Sequence, residues 1–205
     1  AEAAVTAENL GIFIQLMTWF PMFAVIVIIQ GAVIGEKQSG TAAWIMSAPV
    51  SRSAFILAKL VANAIGFFVT VILLQGLVAY VQLSLSEGSL LPIVPYLTML
   101  ALLSLYLLFY LALTLMLGTF FETRGPVLGI AMVVAIGSML SIGNLFAGFL
   151  PWIVVLLPES IPGILTLMVQ GEPLPNVWPI PIILMSGYSL LFIVLAIWRF
   201  GREEF

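Results

Sequence analysis

The sequence predicts an all-α fold, a polytopic bundle of transmembrane helices, and three observations carry that prediction. Of 205 residues, 63% are hydrophobic and only 7% charged, with a mean hydropathy of +1.26; a soluble domain carries about a quarter charged residues. The apolar residues gather in uncharged runs, each long enough at about 20 residues to cross a bilayer core of about 30 Å. The six Lys and Arg fall in or next to alternate connections between those runs and at the C-terminus.

Five runs are expected to span, at residues 10–34, 55–82, 92–121, 126–150 and 178–198, within one transmembrane domain over 1–205. The first carries Gln15, Thr18 and Gln30. The second follows Ser53, a candidate cap, and holds Asn63, Thr70 and Gln75. Lys59 lies one turn inside it, where its stem can snorkel to the headgroups. In the third, Tyr106, Tyr110, Thr114 and Gly118 recur every four residues and form one stripe, which either lines a substrate path or serves as a helix-packing seam. The fourth opens with Pro126 at a first-turn position, pairs Gly125 with Gly129 as GxxxG, and carries Asn144. Asn63, Thr70, Tyr106, Tyr110, Thr114 and Asn144 are the candidate lining of a translocation path.

Between the fourth and fifth runs, residues 151–177 contain two short apolar stretches, 152–157 and 164–169, interrupted by Pro158, Pro162, Pro173 and Pro175. Neither is long enough to cross. The segment reads as a hydrophobic external loop on the bundle or as a split, re-entrant-like helical pair.

Orientation follows from the basic residues, which are retained on the cytoplasmic side of a cell membrane. Lys37, Arg52, Lys59, Arg124, Arg199 and Arg202 all fall on one face, while Glu2, Glu8, Glu87, Glu159 and Glu172 fall on the other. An outside start of the chain and a cytoplasmic C-terminus follow.

Composition also excludes. Without His, Cys or Asp there is no Cys/His zinc site, no haem ligation through His or Cys, no Ser/His dyad and no aspartyl-phosphate intermediate. No Gly-Lys-Ser/Thr phosphate loop occurs, so this chain does not cradle ATP itself. The formal charge of -3 argues against nucleic acid. No carboxylate or base stands at mid-span, as proton- and ion-coupled carriers usually require, so the energy source is expected elsewhere.

The connection 35–53 is the most specific stretch. It holds Gly35, Glu36, Lys37, Gln38, Ser39, Gly40, Thr41 and, after a short helical stretch, Pro49, Val50, Ser51 and Arg52. Thr41, Trp44, Ile45 and Ala48 fall at helical spacing, predicting a short helix with one mostly apolar face that Pro49 ends; Gly40 is the candidate for a positive φ at its start.

This pattern resembles the first cytoplasmic loop of the type-2 ATP-binding cassette (ABC-2 type) transporter permeases: an acidic residue, a polar step, Gly-Thr, a short helix, a Pro-Val-Ser-Arg turn and a Lys as the next span begins. Glu36, Gly40, Thr41, Pro49, Val50, Ser51, Arg52 and Lys59 stand at those positions. The likeness extends to span order and the split external segment. It implies the membrane subunit of an exporter rather than an enzyme, coupled to a separate ATPase subunit through Glu36, Lys37, Gly40, Thr41, Trp44, Ile45, Pro49 and Arg52. No cofactor would be bound by this chain, ATP and Mg being held by the partner ATPase. A second permease copy or close relative is implied, with a seam at the first or fourth span near Gln15, Thr18, Gly125 and Gly129. Such permeases have six spans, so a preceding cytoplasmic segment and first span are expected outside this chain, a cleaved signal peptide being the competing explanation. A self-sufficient carrier or channel subunit and a non-transporting membrane assembly protein remain alternatives.

Overall fold

A computed structural model describes residues 2–47, 50–150, 152–170 and 172–203, and among them every regular element is helical. In chain order these are α1 (Glu2–Ile29), α2 (Ile34–Gln38), α3 (Thr41–Met46), α4 (Arg52–Phe67), α5 (Leu74–Glu87), α6 (Ile93–Phe120), α7 (Arg124–Met139), α8 (Gly143–Phe146), α9 (Ile153–Leu156), α10 (Ser160–Gln170) and α11 (Pro179–Phe200). A π-helical turn, Phe68–Leu73, joins α4 to α5 as one continuous rod.

Four helical stretches are long and apolar enough to cross a membrane: Glu8–Gln38, Arg52–Ser86, Ile93–Phe120 and Pro179–Phe200. They match the first, second, third and fifth expected spans. The fourth differs. A continuous helix over 126–150 is replaced by α7, which ends at Met139 after 16 residues, a rise of about 24 Å. Ser141 then takes a left-handed conformation with φ 50°, and α8 sets off separately. Nothing in the apolar pattern marks this break. Its reason lies at Gly143, where a Cβ would come within 2.5 Å of Glu159 Oε1 and 2.7 Å of Leu157 Cδ1. The chain leaves the helix to bring this backbone against the 151–177 segment, itself folded into α9 and α10.

The central element is α6. Tyr96, Met99, Leu103, Tyr106, Tyr110, Leu111, Leu115 and Thr119 are buried, and they point to different sides of the helix. α11 and α1 pack along it, and α4, the π turn, α7 and α10 complete its surroundings. The outer helices keep large apolar side chains exposed, including Phe20, Leu77, Val133 and Leu190, as a lipid-facing surface does. Gly118 packs at ordinary contact distance on the turn after α1, where a Cβ would lie 3.6 Å from Val33 Cβ. At Thr114 and Gly118 the stripe is therefore a packing seam. Gly125 and Gly129 face open space instead.

At one end the termini of five elements are tied by ions. Lys37, only 7% exposed, bonds Glu203 Oε1 at 2.7 Å through its Nζ, which also reaches the Thr119 carbonyl at 3.4 Å. Arg199 adds a second cation to Glu203 at 3.3 Å. Glu36 pairs with Lys59, Gln38 donates to the Glu122 carbonyl, and Arg52 donates to the Gly201 carbonyl at 2.7 Å. The Arg124 guanidinium packs over Gly31 and Gly35, where a Cβ would meet it at 3.3 and 3.5 Å. Phe55 stacks on Phe200 with centroids 4.9 Å apart, and Arg202 covers the Trp198 ring at 4.2 Å. All six Lys and Arg thus gather at one end of the bundle. Lys59, expected to snorkel outward, turns to Glu36 instead.

Lys37 links α2 to α6 and to the residues after α11, so its loss leaves Glu203 with Arg199 as the cation still in reach. Lys37→Ala is expected to lower unfolding stability by about 1–3 kcal/mol, read as earlier thermal denaturation in detergent. Lys59→Ala, at a more exposed pair, should cost less.

Candidate functional site

Two places bear chemistry, one at each end of the bundle. At the cationic end the loop between α1 and α4 folds as expected into a short helix. Gly40 has φ 75° and its carbonyl accepts from Trp44 N at 3.0 Å, so the left-handed residue starts α3. Ser39 and Thr41 hydroxyls lie 2.8 Å apart across that turn. Ser51 caps α4 by accepting from Ala54 N at 3.2 Å. Pro49 lies outside the described residues.

The faces of α3 differ from expectation. Trp44 and Ile45 do not form one outward apolar pair: Ala42 is buried, and Ile45 and Met46 pack against the core, leaving Trp44 76% exposed. The reason is spacing, since 42, 45 and 46 are one helical turn apart and share a face. Glu36 and Arg52, expected among the coupling residues, both anchor the loop, the first to Lys59 and the second to Gly201.

At the other end lies a cavity of about 680 Å³. Its walls come from the first half of α1, the middle of α6, the end of α7, α8 to α10 and the start of α11. Tyr106 and Asn144, two of the candidate path residues, line it together with Gln15, Thr18, Ser138 and Glu159. Tyr106 stands near the midpoint of α6, so the cavity reaches about half the depth of the bundle. There it closes: the Tyr106 hydroxyl lies 3.2 Å from both Met22 Sδ and Ser138 Oγ, and its ring meets Tyr110 edge-on at 5.1 Å.

The other path candidates lie elsewhere. Tyr110 and Thr114 are fully buried beyond the floor, Thr114 donating to the Tyr110 carbonyl at 2.7 Å. Asn63 and Thr70 sit on the α4 rod and donate to their own helix, at Lys59 O and Gly66 O, both at 2.7 Å. Asn63, Thr70 and Thr114 thus satisfy themselves locally, the Tyr110 hydroxyl is buried without a hydrogen-bond partner, and none of the four lines the cavity. Thr18 likewise donates to Ile14 O at 2.7 Å.

Glu159 is the residue that sequence reasoning placed merely on the acidic face. It is 7% exposed, and its Oε1 is buried without a hydrogen-bond partner. Burial pushes its carboxyl above the ordinary glutamate range, and the backbone N–H groups of Gly143 and Asn144 facing it partly oppose that rise. Its only warning in the sequence is an acid between two prolines inside an apolar stretch. The described residues hold no group of three or more acidic, His or Cys side chains that would bind a metal.

A family model described as a protein of unknown function (DUF2705) matches residues 3–205. No curated protein matches the chain.

The raised carboxyl of Glu159 sets a sign for stability against pH. The folded state holds this proton more tightly than the unfolded chain, so its contribution is full below the ordinary glutamate value and is lost as pH rises through the raised one. Thermal denaturation of the parent should therefore come earlier as pH climbs from about 4 to about 8, and Glu159→Gln should show a flatter profile over the same range.

Proposed function

The chain belongs to the DUF2705 family, and we propose that it is the membrane-spanning subunit of an ATP-binding cassette exporter, coupled to a separate ATPase through α3. The observation that carries this reading is Trp44. A large aromatic side chain stands exposed on the outer face of a short helix, at the end that gathers every Lys and Arg. Buried aromatic anchors dominate many interfaces, and a groove on a partner would give this one its cover.

By the basic residues, that end is the cytoplasmic one, in a cell membrane, where ATP is available. The loop is also built to pass force. Glu36 ties it to α4 through Lys59, and Lys37 ties it to the residues after α11 through Glu203. A push on α3 is thereby handed to two long helices that both pack on α6. The chain has no phosphate loop, which fits ATP and Mg held by another subunit. The cavity at the opposite end serves in this reading as the outward part of the path, and a second copy or close relative completes it. The exposed Gly125 and Gly129 on α7 offer a face for close approach.

A headgroup anchor is the competing role for Trp44, since Trp favours the membrane surface. Co-purification with the ATPase separates the two. Trp44→Ala should weaken the complex by about 2 kcal/mol, about thirtyfold in affinity, with Ser89→Ala at the far end unchanged. A Trp44→Ala variant that binds the ATPase and exports like the parent contradicts the docking role.

A further inference from the structure

The cavity opposite the cationic end has one unusual feature, a carboxylate in its wall with no cation to meet it. Glu159 is more than nine-tenths buried and its Oε1 accepts no hydrogen bond. All six Lys and Arg lie at the other end of the bundle. Of the polar side chains nearby, Thr18 is spent on the Ile14 carbonyl and Tyr106 and Ser138 on each other, while Gln15 and Asn144 bring neutral amides to the same wall. The backbone amides of Gly143 and Asn144 face the carboxylate and soften its burial, but they are dipoles and bring no net charge. Glu8, lining the same cavity, adds a second negative group.

The remaining surface is apolar and aromatic. Trp19 from α1 and Trp178 on the approach to α11 line it, together with Ile164 and Val155. A volume of about 680 Å³ is that of a site for a compact organic molecule, in which a few polar groups fix orientation and apolar walls supply contact. Indole faces attract cations as well as hydrocarbon. A divalent metal would want six or more oxygens, and the described residues offer no cluster of carboxylates.

We propose that this cavity binds an amphipathic organic monocation, its positive group against Glu159 and its apolar body against the tryptophan-bearing walls. Gly143 belongs to the same device. Any side chain there would collide with Glu159 Oε1 and Leu157, so glycine is what allows the carboxylate its position at the wall. The inference rests on the cavity alone and stands apart from the ATPase reading, because its test is binding and not transport.

The test uses the full chain in detergent micelles and a pair of ions alike in shape and opposite in charge, tetraphenylphosphonium and tetraphenylborate, measured by equilibrium dialysis against protein-free micelles. The phosphonium should bind saturably at one site per chain, in clear excess over the borate. Glu159→Gln should weaken phosphonium binding about tenfold or more, and Glu159→Asp should retain part of it. Val155→Trp, which fills the cavity and leaves the carboxylate in place, should lose it as well. Equal binding of the two ions overturns the proposal, as does a Glu159→Gln variant that binds like the parent. Should Glu159→Gln fail to fold, full phosphonium binding by Val155→Trp overturns it by the same measurement.

Discussion

A helix that is apolar on every side and also carries buried hydroxyls has one stable place in a bundle, the middle, and α6 occupies it. Lipid would satisfy its leucines, so the hydrophobic effect does not by itself draw the other helices around it. What lipid does not satisfy are Tyr96, Tyr106, Ser138 and their like. Tyr96 donates to the Gly76 carbonyl at 2.6 Å, and Tyr80 reaches the Leu91 carbonyl at 3.0 Å, which fixes α5 against the start of α6. Tyr106 meets Met22 and Ser138 halfway along, joining α1 and α7. At the far end the Thr119 carbonyl receives Lys37. Polar contacts thus place α1, α5 and α7 at intervals along α6, while α11 packs on it through apolar and aromatic contacts such as those of Phe109 with Tyr188 and Phe192.

The same helix separates two chemistries. Beyond Tyr106 toward the cations, Tyr110, Thr114 and Gly118 form a closed seam; on the other side the bundle opens into an acidic, aromatic cavity. Among the described residues the cavity therefore ends at Tyr106 and does not continue to the cationic end. This arrangement suits the proposed exporter subunit. In that proposal energy enters at α3, and the ion pairs Glu36–Lys59 and Lys37–Glu203 would pass it to α4 and α11, whose movement against α6 would alter the floor of the cavity.

Much of this was legible in the sequence because it depends on local pattern. Long uncharged runs gave four membrane-length helices, and the spacing around Trp44 gave α3, with Gly40 left-handed at its start. What escaped depends on contacts between distant residues. The break at Ser141 follows from Gly143 meeting Glu159 across 16 positions, and no periodicity records that meeting. Ile45 turned inward because the bundle supplied a surface for 42, 45 and 46 together. Asn63 and Thr70 each donate to their own helix four residues back, a local satisfaction that a polar residue in a span carries without any mark in the sequence. Glu159 was overlooked for the opposite reason: an acid in an external segment is ordinarily solvated, and its burial comes from α8 folding over it.

Trp44 and the Glu159 cavity lie at opposite ends of the bundle, and the proposed function places Trp44 in the cytoplasm and the cavity on the other side of the membrane. Single cysteines test it directly, since the chain has no native one. In intact cells an impermeant thiol reagent should label Asn144→Cys in the cavity wall and should reach Trp44→Cys only after the membrane is opened. Labelling of Trp44→Cys from outside, or protection of Asn144→Cys until permeabilisation, would contradict the account.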